Sequence, residues 1–101
     1  MARIPIHPGE ILEEEFAEIG LSAAQLARIL GVPTNRITQI LAGKRGIRAD
    51  TALRLGRWLG TGPEIWLNLQ QQYEMRIAER TVGAEIERTV VPRAGIPPEA
   101  A

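Results

Sequence analysis

The 101-residue sequence carries no cysteine, which excludes a disulfide framework and any thiolate metal site, and its length suits one domain with a single modest core. Lys and Arg, 12 in all, balance 12 Asp and Glu to a formal net charge of zero, so the overall balance gives no sign of a polyanionic partner. No stretch approaches the ~20 apolar residues of a membrane span and MARIPIHPGE holds no apolar run of the signal-peptide kind, so a cytoplasmic chain with no membrane partner is expected.

Residues 1 to 7 read as an extended arm, because Pro5 and Pro8 each disfavour the helical region for the residue before them. Pro8 suits the first turn of a helix in which Ile11, Leu12, Phe16 and Ile19 form an apolar stripe opposite Glu13, Glu14, Glu15 and Glu18, and Gly20 ends it. An acidic helix of this kind packs behind a phosphate-binding surface rather than on it. His7 is the only histidine and has no companion ligands, so it reads as structural or exposed rather than as a base. Consecutive helical residues point about 100° apart, so Glu13, Glu14 and Glu15 cannot converge on one atom. With no phosphate loop, ligand pair or nucleophile motif, neither enzymatic activity, a cofactor nor a metal is expected.

Ser22 and Gln25 form a capping box at the start of a second helix, which turns Leu26, Ala27 and Leu30 to one face and breaks at Gly31-Val32-Pro33. A third helix runs from near Pro33 to about Leu41, with Ile37, Ile40 and Leu41 inward and Gly43 supplying a left-handed cap. Two such short helices joined by a Gly-containing turn form a helix-turn-helix, the arrangement that places its second helix in the DNA major groove. The outward face of that helix carries Thr34, Asn35, Arg36, Thr38 and Gln39, residue types that read base edges. Any amphipathic surface helix shows a polar outer face, but the turn, the helix lengths and the basic loop that follows favour base contact. Lys44, Arg45 and Gly46 make that loop, suited to gripping phosphate. Gln25 is either a cap or a further phosphate contact.

Charge is segregated in the same sense. Residues 1 to 20 are net −4, residues 61 to 101 net −2, and residues 21 to 60 net +6, with Arg28, Arg36, Lys44, Arg45, Arg48, Arg54 and Arg57 against Asp50 alone. A polyanion responds to the local field, and the whole positive excess lies in the segment holding the helix-turn-helix.

A fourth helix spans about Ala49 to Leu59, burying Ala52, Leu55 and Leu59 and leaving Arg54 and Arg57 available; Arg48 is a poor N-cap for it. Gly62, Pro63 and Glu64 open a fifth helix, expected to run to about Arg80. Its Trp66, Leu69, Tyr73 and Ile77 recur at spacings of three and four, and Ile65, Leu67 and Met75 widen the apolar surface. Such a surface exceeds what one small core covers and points to a second copy of the chain, although Trp58 and Trp66 could also complete the monomer core. Gly83 is expected to break this helix, with Glu85 to Val91 a short strand or a helical turn. The division expected is a domain over residues 1–91, with its dimerisation helix at about 63–80, and a disordered Pro-rich tail over 92–101.

Four stretches give the sequence a resemblance to the HigA-type antitoxins of the xenobiotic-response-element (XRE) helix-turn-helix family: IHPGEIL at Ile6 to Leu12, LARILGVP at Leu26 to Pro33, RITQILAGKRGIRADTALRL at Arg36 to Leu55, and GPEIWLNLQ at Gly62 to Gln70. The third marks the broad repressor group; the first and last are specific to the antitoxins. The resemblance implies an all-α, five-helix, Cro-repressor-like fold and a homodimer that represses its own operon at a double-stranded DNA operator and neutralises a cognate toxin protein, an mRNA endonuclease. Two positions depart from the pattern. Ala23 stands where many members carry a phosphate-clamping Gln, and Arg48 replaces a Thr that starts the fourth helix, which shifts the expected phosphate grip to Gln25, Lys44, Arg45 and Arg48. The competing expectations are a stand-alone XRE-type regulator and a toxin-binding module without significant DNA binding.

Overall fold

The computed structural model describes residues 4–93, which form five α-helices and, among the described residues, no strand: α1 Pro8–Ile19, α2 Ala23–Leu30, α3 Thr34–Leu41, α4 Ala49–Leu59 and α5 Glu64–Thr89. Residues 1–3 of the expected arm and 94–101 of the expected tail lie outside the described residues.

Local chemistry sets most boundaries. His7 caps α1: its Nδ1 accepts from the Gly9 N–H at 2.9 Å while the Glu10 carboxylate accepts from the His7 N–H at 3.3 Å. The sole histidine is therefore structural, one of the two roles expected of it, and is buried at 7% exposure. Ser22 and Gln25 form the expected reciprocal box on α2, with Oγ accepting from Gln25 N at 3.2 Å and Oε1 from Ser22 N at 2.8 Å. At Gly31 the chain turns left-handed, φ 73°, a conformation that glycine takes without the Cβ penalty, and this turn swings α3 across α2.

Leu12, Phe16, Leu26, Leu30, Ile37, Ile40, Ile47, Ala52, Leu55 and Trp66 make one core. Burying one such aliphatic or aromatic side chain is worth about 1.5–3 kcal/mol, so the core holds the short helices, which are too brief to persist alone. Gly9 lets α1 approach α3 so closely that a Cβ there would overlap the Ile40 carbonyl. Ile47, in the loop after α3, is buried at 1%; no periodicity pointed to it.

Four expectations need correction. Ile19 is 55% exposed, because the apolar stripe of α1 turns out of the core in its last turn; Leu59 is only half-buried. Gly83 does not break α5, which continues for 26 residues to Thr89, so Glu85 to Thr89 is neither strand nor isolated turn. One glycine costs a helix about 1 kcal/mol, and its neighbours Ala78, Glu79, Arg80, Ala84 and Glu85 are strong helix formers. Thr81 and Thr89 also bond back to the Ile77 and Glu85 carbonyls at 2.9 and 2.8 Å. Finally, Trp66 is 2% exposed and belongs to the core of the single chain, so it presents nothing to a second copy. The first turns of α5 pack on the core and the remainder projects, giving extents of 55 × 23 × 22 Å.

Candidate nucleic-acid interface

The exposed side of α3 carries Thr34, Asn35, Thr38 and Gln39. They face outward because Ile37 and Ile40, each 0% exposed, fix the inward side of an eight-residue helix. Thr38 Oγ1 donates to the Asn35 carbonyl at 3.2 Å. Gln39 Oε1 accepts from Arg45 Nη1 at 3.4 Å, joining the outer face of α3 to the basic loop behind it. Lys44, Arg45 and Arg48 are all exposed. Pro33 precedes α3 and Arg48 precedes α4, neither supplying a side-chain cap. The first backbone N–H groups of both helices thus lack the usual side-chain acceptor and add positive partial charge to the surface.

Two of the expected contacts are committed elsewhere. Gln25 spends its carbonyl oxygen in the α2 cap, leaving its amide N–H groups as the part able to meet phosphate. Arg36, in the first turn of α3, is half-buried and turns toward α4, its Nη1 donating to Asp50 Oδ1 at 2.9 Å. The same oxygen accepts from Arg54 Nε at 2.7 Å. The hydrogen bond from Arg54, above all, holds the Asp50 carboxyl below its ordinary pKa; desolvation opposes it, and the Arg54 charge with the hydrogen bond and charge of Arg36 add to the lowering.

Arg54, expected to be available, is engaged through Nε and Nη1: beyond Asp50 its Nη1 donates to the Leu30 carbonyl at 2.8 Å and reaches that of Gly31 at 3.4 Å, satisfying the C-terminus of α2. Asp50 and Arg54 lie four apart on one helix, the spacing of an ion pair, so their contact was legible; the link to Arg36, 14 residues away, was not. Gln70 on α5 is a further residue the sequence did not announce. Its Oε1 accepts from the Ile47 N–H at 2.8 Å and its Nε2 donates to Glu74 at 2.8 Å, tying the end of the basic loop to α5.

Of the residues expected to form a second-copy interface, Leu69 and Tyr73 are half-buried and Ile77 is 38% exposed. α5 also exposes Met75, Val82 and Ile86, which at about 100° per residue lie on the side of the helix away from Ile77; Val90, just past the helix end, is exposed too. None of the helices formed by the described residues is long and apolar enough to cross a membrane.

Comparison with known proteins agrees with this geometry. The Helix-turn-helix family (HTH_3) matches residues 12–66, from α1 to the buried Trp66. Virulence-associated protein I of Dichelobacter nodosus is 51% identical over 76 residues, 74% of this chain and 70% of that one. The structure of an addiction module antidote protein of the HigA family from Coxiella burnetii superposes with a TM-score of 0.87 at 54% identity, covering 89% of this chain and 99% of that one. Antitoxin GraA in complex with its operator superposes with a TM-score of 0.86 at 52% identity, covering 91% and 94%. The chain belongs to the helix-turn-helix family and, within it, to the HigA-type antitoxins.

Proposed function

We propose that the chain is the antitoxin of a type II toxin-antitoxin module: a homodimeric, sequence-specific autorepressor that also neutralises an mRNA-cleaving toxin. The observation that carries this reading is the outward polar face of α3 beside the exposed Lys44, Arg45 and Arg48, in a chain 52% identical to an antitoxin solved on its operator. In this reading Thr34, Asn35, Arg36, Thr38 and Gln39 meet base edges, while Lys44, Arg45, Arg48 and the Gln25 amide meet phosphates. The domain takes in α1 to α5, and the dimer forms along α5 through Leu69, Tyr73 and Ile77, without Trp66. Two copies place their α3 helices in successive major grooves about 34 Å apart. The activity is one of binding rather than catalysis, and the setting is the cytoplasm, where operator and toxin both occur.

Gel-shift titration against the DNA upstream of its own gene and against a scrambled duplex tests the DNA half; retention of neither duplex at low salt removes it. The toxin half is tested by co-expression with the neighbouring reading frame. A small basic protein that co-purifies and stops translation when expressed alone supports it, and the absence of such a frame leaves a stand-alone regulator.

A further inference from the structure

Asp50 is the only acid between residues 21 and 60, and it stands in the first turn of α4 against two arginines. Its Oδ1 accepts from Arg36 Nη1 and Arg54 Nε at 2.9 and 2.7 Å. Arg54 is anchored independently, because its Nη1 donates to the Leu30 carbonyl at 2.8 Å, one of the carbonyls a helix C-terminus leaves without an intrahelical partner. One chain of hydrogen bonds therefore runs from the end of α2, through Arg54 and Asp50 on α4, to the Arg36 guanidinium in the first turn of α3.

An exposed ion pair adds little stability, and Asp50 is 61% exposed, so the consequence of this chain is geometric. The Arg36 side chain is only 26% exposed, with its stem packed and one guanidinium corner held. Arg36 spends Nη1 on Asp50, which leaves the remaining N–H groups of its fork for a ligand. A guanidinium already ordered through one edge loses less side-chain entropy on binding through the other. The same Arg without its acid partner is free to swing to a phosphate, a contact that carries no sequence information.

We infer that Asp50 is a positioning residue for base readout: held in place by Arg54, it aims Arg36 at a base edge and withholds it from the phosphate backbone. The inference rests on α3 being the helix that reads DNA, and the measurement separates the two. Binding of the full-length chain is titrated on its own upstream operator duplex, on operator duplexes with each guanine of a half-site replaced in turn, and on a scrambled duplex, with a thermal melt of every variant.

Asp50→Asn is expected to narrow the operator-to-scrambled affinity ratio about tenfold, the discrimination of one base contact. Binding to scrambled DNA should be unchanged or tighter, and the salt dependence unchanged or steeper. Asp50→Glu should recover part of the ratio, and Arg54→Lys should narrow it in the same sense. An Asp50→Asn variant that keeps the wild-type ratio overturns the inference. So does one that weakens both duplexes by the same factor, since that is the signature of a structural role. If the wild type discriminates but Arg36→Ala leaves the ratio intact, the inference alone falls; if the wild type does not discriminate, the reading of α3 falls with it.

Discussion

The His7 imidazole stands edge-on to the Tyr73 ring, centroids 4.8 Å apart and planes at 70°, while its Nδ1 accepts the Gly9 N–H. One side chain thus closes the start of α1 and seats it on α5. Burial lowers the His7 pKa from its ordinary 6.5, with the Glu10 charge and a hydrogen bond to the Arg45 backbone opposing the shift. The unfolded chain therefore takes up a proton that the folded chain resists. The His7 contribution is whole above pH 6.5 and is lost as the pH falls below it. Urea midpoints measured between about pH 7.5 and about pH 5.5 should fall more for wild type than for His7→Asn, which keeps a capping side chain that does not titrate there. Parallel curves would assign the pH dependence elsewhere.

Gly9→Ala should destabilise the fold by at least about 1–3 kcal/mol, the usual scale of overpacking. The added Cβ meets the rigid Ile40 backbone carbonyl and has to push α1 off α3. Chemical denaturation reads the loss directly, and a wild-type midpoint would show that the two helices slide apart without cost.

Asn35→Ala and Arg45→Ala should separate reading from gripping. The first should cost ~1–3 kcal/mol on the operator and little on scrambled DNA. The second should weaken both duplexes alike and flatten the logarithmic salt dependence by about 0.9 for the lost phosphate contact. Exchanged behaviours would reverse the two roles.

Ile77→Asp should dissociate the dimer while leaving each chain folded, because Ile77 is partly exposed on α5, whereas Trp66→Ala should unfold the chain, because Trp66 is 2% exposed. Truncating a buried aromatic costs about 3–5 kcal/mol, and Trp66 regains a little of this since its Nε1–H is buried without a partner among the described residues. Sedimentation equilibrium with circular dichroism distinguishes the two outcomes. A dimeric Ile77→Asp protein would move the interface off this face.

The helices were legible where their signals are local. Ser22 with Gln25, Gly20 and Gly31 mark ends that depend on a few neighbouring atoms, and the end of α1 and both ends of α2 fall where those residues put them. Gly83 misled because a glycine signals a break only when its neighbours favour one. His7 is not among the usual capping residues, so its role depended on a geometry that emerges only when α5 is in place. Ile47 lies in a loop with no period to betray burial, and the Arg36–Asp50 contact joins two helices whose relative placement no local pattern encodes. The candidate interface was readable as a set of residue types; which of its members are already bonded to their own chain was not.

Gln70 gives the basic loop a dependence on helical phase. The Ile47 N–H sits beside a fully buried side chain, and its acceptor comes not from the adjoining backbone but from a residue 23 positions on. Inserting one alanine between Trp66 and Gln70 would leave α5 helical yet rotate Gln70 by about 100°, stranding that N–H and loosening Lys44 to Gly46. The loop's conformation is thus encoded in the register of a helix that never approaches it in sequence.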